Sequence, residues 1–243
     1  MLVLSQKKTM YSVIIPAYNE EKWLHKSLNA LQKAMSTIDM RGEIIVTDNN
    51  SSDKTSEVAQ NYNAQVIFEP KNQISRARNT GAKIAKGQYL IFLDADTIIS
   101  SEILQTALNN LKSGTCCGGG ALVTADIFKG TYTQKILNFW TAIATKYQIA
   151  AGCFIYCLRD AFEDIYGFNE KLYASEEIWF SRSLKKWGGK HKMSFNLINS
   201  KIITSSRKLN HPIRLIIATA MAIILPFSIY SRTLCWFWYK RDS

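Results

Sequence analysis

The chain has 243 residues, 47% of them hydrophobic, which suits one α/β domain with an ample core and an appendage and excludes a disordered chain. Lys and Arg number 30 against 19 Asp and Glu, a net charge of +11, so the expected partners are anionic: nucleic acid, an acidic membrane surface or phosphorylated substrates. Five cysteines without a CxxC pair and only three histidines argue against zinc and for reduced, buried thiols in a cytosolic protein.

Met1 to Met10 places a short apolar start ahead of Lys7 and Lys8, the wrong order for a signal peptide, so residues 1–10 read as a tail and the chain is expected on the cytoplasmic side. Tyr11 to Pro16 predicts a first strand, which Pro16 should stop because a central strand does not continue through proline. Asn19, Glu20 and Glu21 open a helix carrying Leu24, Leu28 and Leu31 on one face, with its acids where the helix dipole favours them. Glu43 to Thr47 predicts a second strand, ending in the polar run Asp48 to Asp53, whose Ser and Asp can cap a helix from Lys54 to Asn61. Gln65 to Phe68 predicts a third strand and Ser75 to Ala85 a third helix, closed by Gly87 as C-cap. Tyr89 to Leu93 is too short for a buried helix and rich in strand formers; it predicts a central strand whose carboxyl end delivers Asp94 and Asp96. Strands alternating with helices mean βαβ units and a parallel sheet.

Ser101 to Leu111 predicts a helix with Ile103, Leu104, Ala107, Leu108 and Leu111 inward. Gly118 to Thr124 predicts a strand whose glycines mean either close approach by a ligand or a bulge. Thr133 to Tyr147 carries Ile136, Leu137, Trp140, Ile143 and Ala144 at helical spacing, a core stripe or a membrane or acceptor surface. A strand over Ala151 to Leu158, a short helix, a turn at Tyr166 to Glu170 and a helix over Glu176 to Trp187 follow. Leu215 to Ser231 contains no charge and is flanked by Arg207, Lys208 and Arg214 before it and Arg232, Lys240 and Arg241 after it. At about 1.5 Å per residue it is roughly 25 Å long, the short limit for crossing a bilayer. Pro226 would kink it, and Trp236 to Tyr239 form an aromatic belt. A spanning helix, an in-plane helix and a helix packed on the domain all remain open. The expected division is 1–10 tail, 11–205 globular domain and 206–243 basic, hydrophobic membrane-associating segment.

Three polar clusters, Ala17 to Glu20, Asp48 to Asp53 and Asp94 to Asp96, fall at the carboxyl ends of consecutive strands. In a parallel sheet those ends share the edge where α/β folds bind ligands. Asp94 and Asp96 can reach one hard cation, which is typically held by one or two carboxylates plus substrate phosphates. The motifs Val-Ile-Ile-Pro-Ala-Tyr-Asn-Glu at 13–20, Val-Thr-Asp-Asn-Asn-Ser-Ser-Asp-Lys-Thr at 46–55, Ala-Arg-Asn-Thr-Gly at 77–81, Gly-Gln-Tyr-Leu-Ile-Phe-Leu-Asp-Ala-Asp at 87–96, Gly-Phe-Asn-Glu at 167–170 and Ser-Glu-Glu-Ile-Trp-Phe-Ser-Arg at 175–182 stand in one order. Together, over residues 11 to about 205, the chain closely resembles the inverting family-two glycosyltransferases of the GT-A fold.

The resemblance implies a three-layer, Rossmann-like GT-A fold with a mostly parallel central sheet, to which the apolar tail adds a C-terminal hydrophobic helix. It implies transfer of a hexosyl group from a nucleoside diphosphate sugar, typically a UDP-sugar, with Mn²⁺ or Mg²⁺ as cofactor. Pro16, Ala17, Tyr18 and Glu20 would line the nucleotide pocket; Asp48, with Asn49 beside it, would meet the base; Arg78 would lie beside the nucleotide or diphosphate. Asp94 would approach the ribose or the metal, and Asp96 would bind the metal. Glu177, aligned with the acid of the family's Glu-Asp motif, would be the general base, although Glu176 shares its stripe nearly as well. Asn49 and Asn50 replace the commoner Asp-Gly, Glu177 replaces the commoner Asp, and Trp179 stands at an often acidic position, to stack on a sugar or to pack. Ser205 to Lys208 resembles a basic segment of membrane-associated members, either holding the diphosphate or sitting at the membrane. His211 would complete the metal shell or lie on the surface.

The expected partners are thus the nucleotide sugar, a sugar or lipid-linked acceptor and a membrane rather than nucleic acid, with no indication of oligomeric state. An aspartate-nucleophile phosphohydrolase is disfavoured, because the aspartate pair follows the fourth strand and Ile98 stands where Thr or Val is needed. A non-catalytic membrane-associated anion-binding adaptor would share the charge and the tail but leaves the converging clusters unexplained.

Overall fold

The computed structural model describes residues 9–123, 141–204 and 229–235. In chain order these form β1 (Tyr11–Ala17), α1 (Glu21–Ser36), β2 (Gly42–Asp48), α2 (Thr55–Asn61), β3 (Gln65–Phe68), α3 (Ile74–Ile84), β4 (Tyr89–Leu93), β5 (Thr97–Ile98), α4 (Ser101–Lys112), β6 (Cys116–Val123), β7 (Phe154–Leu158), α5 (Arg159–Asp164), α6 (Glu176–Lys190) and β8 (Ser194–Thr204). Residues 141–147 are also helical.

Alternate residues of the central strands face opposite helical layers, as the two-residue period of a strand requires. Val13, Ile15, Val46, Ile91 and Leu93 pack on one side with Leu24, Leu28 and Leu31 of α1 and Ile103, Leu104 and Leu108 of α4. Ile14, Ile45, Leu90 and Phe92 pack on the other side with Ala82 of α3, Phe162 of α5 and Phe180 and Leu184 of α6. Burial of each such Leu, Ile or Phe contributes about 1.5–3 kcal/mol. The result is helices on both faces of one sheet, the three-layer α/β architecture that the strand–helix alternation implied.

The sheet order is β3-β2-β1-β4-β7-β6-β8-β5. Its first four strands are parallel, with Ala17 beside Asp48 and Ile14 beside Phe92. The second half is mixed: β7 runs antiparallel to both β4 and β6, β8 parallel to β6, and β5 antiparallel to β8. Parallel pairing therefore predominates in the sheet and is unbroken in the half that carries the polar clusters.

Several local expectations change. Pro16 does not stop β1, which runs on to Ala17; pairing with β4 ends at Ile14, so beyond it β1 is an edge on that side and tolerates a proline. Gly87 is not a helix cap, since α3 ends in extended backbone at Ala85. A Cβ at Gly87 would instead collide with the Tyr11 backbone, so β1 itself demands glycine there. The glycines of β6 answer to strands as well: a Cβ at Gly119 would collide with the Asn196 carbonyl, and one at Gly118 with that of Tyr156, beside register shifts in the β6–β8 pairing. β5 and β8 were not foreseen. Most of the stripe expected over 133–147, most of the tail, residues 206–228, in which the hydrophobic helix was expected, and Trp236 to Tyr239 lie outside the described residues. Among the described residues no helix is long and apolar enough to cross a membrane. All five cysteines are free and buried.

Candidate active site

Because β1, β2 and β4 are adjacent and parallel, the loops that follow them emerge at one edge. Side chains tie the first two together. Asn19, at φ +52, donates its N–H to Ser51 Oγ (3.0 Å) and accepts from the Ser52 N–H (2.8 Å), while the Glu20 N–H meets Thr55 Oγ1 (2.8 Å). Asp53 receives the Thr55 N–H at 3.0 Å and the Glu21 N–H at 3.1 Å, so one carboxylate serves the first turns of both α2 and α1. Pro16 and Tyr18 line this edge half-buried; Ala17 and Glu20 are buried.

The residues expected at the base are used by the loop itself. Asp48 accepts the Ser51 N–H at 2.9 Å and the Ser56 hydroxyl. Asn49 donates to the carbonyls of Glu69 (3.1 Å) and Lys71 (2.6 Å) and accepts the Gln73 N–H at 2.8 Å. The Asn49 amide, expected beside the base, clamps the β3–α3 connection, which needs two donors and one acceptor at that point.

At the centre stands Arg78. It is 1% exposed, with Nη1 2.9 Å from Glu176 Oε1, Nη2 3.1 Å from Asp94 Oδ1 and Nη2 donating to the Gly152 carbonyl at 2.7 Å. Its guanidinium lies 5.0 Å from the Phe168 ring centre, at the rim of a cluster in which Phe168 stacks on Phe180 at 4.0 Å and meets Phe92 edge-on at 4.9 Å. Burial opposes the charge on Arg78, but Asp94, Glu176 and Glu177 outweigh it and its pKa rises further. So enclosed, Arg78 holds the Asp94 carboxylate and through it borders the edge where the nucleotide is expected. It joins the β4 loop to the first turn of α6, whose Glu176 lies 98 residues further along the chain than Arg78.

The two glutamates of α6 have different surroundings. Glu176 is 5% exposed and committed to Arg78. Glu177 is half-buried, and an added Cβ at Gly152 would come 3.7 Å from its Cγ and 3.6 Å from Arg78 Nη2. Burial first, then the Glu176 charge, push the Glu177 carboxyl up to about 8, against the pull of Arg78. Asp94, Arg78, Glu176 and Glu177 therefore form one electrostatic unit.

Gly152 and Cys153 went unforeseen. Antiparallel β7 starts where β4 ends, with Phe154 beside Leu93, so the residues before it land at the aspartates. The Asp94 N–H donates to the Cys153 carbonyl at 3.1 Å, and the Ala150 N–H to Ser181 Oγ of α6 at 3.1 Å. The one hint in sequence is the run of small residues Ala150, Ala151 and Gly152, which permits close approach. Trp179 is 43% exposed, and Arg182 lies 5.8 Å from its ring centre. Arg182 therefore occupies part of the surface offered for stacking.

Asp94 and Asp96 are half-buried on either side of buried Ala95. Among the described residues no group of three or more His, Cys, Asp and Glu comes together to hold a metal. Two hard carboxylate oxygens fit Mg²⁺ or Mn²⁺, which take further ligands from phosphates and water, better than zinc. The β5–β8 pairing sets Thr204 opposite Thr97, next to Asp96. Ser205 to Lys208 and His211 follow Thr204 and lie outside the described residues.

A parallel α/β half-sheet with acids gathered at its carboxyl edge defines a Rossmann-like ligand-binding domain. Residues 12–166 match the model for glycosyl transferase family 2, more than half of the chain, and the chain belongs to that family. It is 28% identical over 184 residues to the glycosyltransferase AglE of Haloferax volcanii, covering 71% of this chain and 60% of AglE; the chain thus spans less than two thirds of that relative. Among solved structures it superposes on the Pyrobaculum calidifontis mannosyltransferase PcManGT in complex with GDP-Man and Mn²⁺ with a TM-score of 0.66 and 16% identity, over 88% of this chain and 62% of that one. It superposes on Staphylococcus aureus TarS residues 1–349 in complex with UDP with a TM-score of 0.62 and 20% identity, over 88% of this chain and 65% of that one. At such identities the likeness concerns the fold, which is the GT-A arrangement.

Proposed function

We propose that the chain is a metal-dependent inverting glycosyltransferase that moves a hexosyl group from a nucleoside diphosphate sugar, a UDP-sugar by preference, to an acceptor hydroxyl. The observation that carries this reading is the meeting of Asp94, at the end of β4, with the acids of α6 around Arg78 and Gly152. The nucleotide would rest on the β1 and β2 loops, beside Pro16, Tyr18 and Asp48, with Asp94 at its ribose side. Asp94 and Asp96 would hold Mn²⁺ or Mg²⁺, and when bound that cation supplies charge neutralisation of the departing diphosphate. Glu177 would take the proton of the acceptor hydroxyl, worth roughly 10² to 10⁴ in rate. Its high pKa suits proton transfer near neutral pH, whereas Glu176, held by Arg78, keeps the site's charge balanced. A single displacement inverts the anomeric carbon: the acceptor oxygen forms the new bond as the bond to the diphosphate breaks, and the proton ends on Glu177.

We place residues 11–205 as the catalytic domain and 206–243 as a membrane-associating segment, at the cytoplasmic face, on the strength of the charge-free stretch between basic flanks. A lipid-linked or envelope acceptor follows from that location. The test is a thermal-shift screen of UDP, GDP and their sugars with and without Mn²⁺, followed by a transfer assay with whichever sugar binds. Stabilisation by one nucleotide series that needs the metal is the expected result, and no shift with any nucleotide would remove the reading.

A further inference from the structure

The segment 229–235 lies against the start of the catalytic helix, on both sides of a strained residue. Ser175, which precedes α6, has φ +61, a left-handed value that a non-glycine residue adopts only when its surroundings impose it, and its hydroxyl makes no capping bond. The Ser175 carbonyl accepts the Ile178 N–H at 3.1 Å and the Trp179 N–H at 3.4 Å, so backbone alone, without a side-chain cap, closes the turn that presents Glu176 and Glu177. The distant segment is hydrogen-bonded to Tyr173, just before it, and runs on to Cys235, whose thiol feels the Glu176 charge just after it. The Tyr173 N–H donates to the Ile229 carbonyl at 2.7 Å. Cys235 closes a turn by donating its N–H to the Ser231 carbonyl at 3.0 Å and is 6% exposed, whereas Arg232, Thr233 and Leu234 before it are exposed. Burial and the nearby Glu176 charge raise its thiol to about 11, so it stands there as a neutral, small, apolar body.

We propose that residues 229–235 act as a strap that positions the catalytic turn, with Cys235 as the positioning residue: seated near Glu176, it keeps that carboxylate on Arg78 and leaves Glu177 beside Gly152. The strap is a structural statement, and only its effect on turnover rests on the transferase reading. Hydrogen exchange of the full-length protein tests it without any donor. In Cys235→Arg a cation competes with Arg78 for Glu176, and the peptide 172–180 should exchange about tenfold faster than in the wild type. Cys235→Ser should keep wild-type protection, and Cys235→Ala should show a smaller, equally local loss. Where a donor is known, Cys235→Arg should lower kcat about tenfold at unchanged donor Kd and shift the rising limb of the pH profile to lower pH, as a cation near Glu177 requires. Wild-type exchange in all three variants overturns the proposal. So does a loss spread over the whole chain in Cys235→Arg if Cys235→Ala shows none at 172–180. Local loss of protection in an otherwise folded protein whose wild type transfers no sugar would instead sink the transferase reading and leave the strap in place.

Discussion

Arg78 Nη1 lies 2.9 Å from Glu176 Oε1 with both side chains buried, and through Arg78 the Asp94 carboxylate and the first turn of α6 are held in one electrostatic unit. The geometry separates two adjacent acids that sequence leaves nearly equivalent. Glu176 is the counterion of a buried guanidinium; Glu177, one residue on, is the acid whose proton is held above the ordinary carboxylate range.

Breaking that pair from one side strands a buried charge. Arg78→Met should therefore destabilise the fold by about 3–5 kcal/mol. Adding Glu176→Gln should recover part of the loss, because the double variant removes the orphaned carboxylate. Urea denaturation of the three proteins measures both; additive losses would mean that the two residues are not coupled.

Glu177→Gln should abolish transfer while leaving nucleotide affinity intact. Wild-type kcat/KM should rise with pH through the region near 8, since the acceptor's proton can pass only to ionised Glu177. A pH profile limited by a group near 4.5 would exclude Glu177 as the base.

The same group shapes stability. Its folded pKa lies above its unfolded value, so its contribution is fully present below the unfolded value near 4.5 and is lost as pH rises through about 8. Melting temperature of the wild type should fall over that interval relative to Glu177→Gln, with the two curves diverging toward alkaline pH. Parallel curves would show that Glu177 titrates as an ordinary surface acid.

Metal dependence should reside in Asp96. UDP at about 100 times its Kd stabilises by about 2.7 kcal/mol. Asp96→Asn should lose the part of that affinity which depends on Mn²⁺, as read by calorimetry with and without the ion. Equal metal-dependent affinity in both proteins would take Asp96 out of the metal's shell.

Asn49 is expected to matter for folding rather than for nucleotide contact. Asn49→Ala leaves the carbonyls of Glu69 and Lys71 and the Gln73 N–H short of partners, at about 1–3 kcal/mol for each that water fails to reach. A large drop in UDP affinity with no change in stability would restore it to the base pocket.

The sequence by itself determined the parallel half of the sheet and the acids at its edge. Its strands are short continuous apolar runs rich in strand formers, its helices carry leucines at three- and four-residue spacing, and both signals are local. Asp94 and Asp96 were legible because they follow such a run directly. The tertiary structure alone decided what those acids meet. Arg78 reads in sequence only as a residue beside the nucleotide or diphosphate, and the closure of α6 and the Gly152 loop around it makes it an internal counterion. Gly152 reaches the aspartates because β7 turns antiparallel to β4, a choice that no local pattern encodes. β8, broken by Asn196, Asn199 and Ser200, becomes a strand through pairing with β6. Local periodicity is set by which residues a single element can bury, whereas partner identity is set by chain segments 60 to 100 residues apart, whose contacts exist only once the sheet has closed.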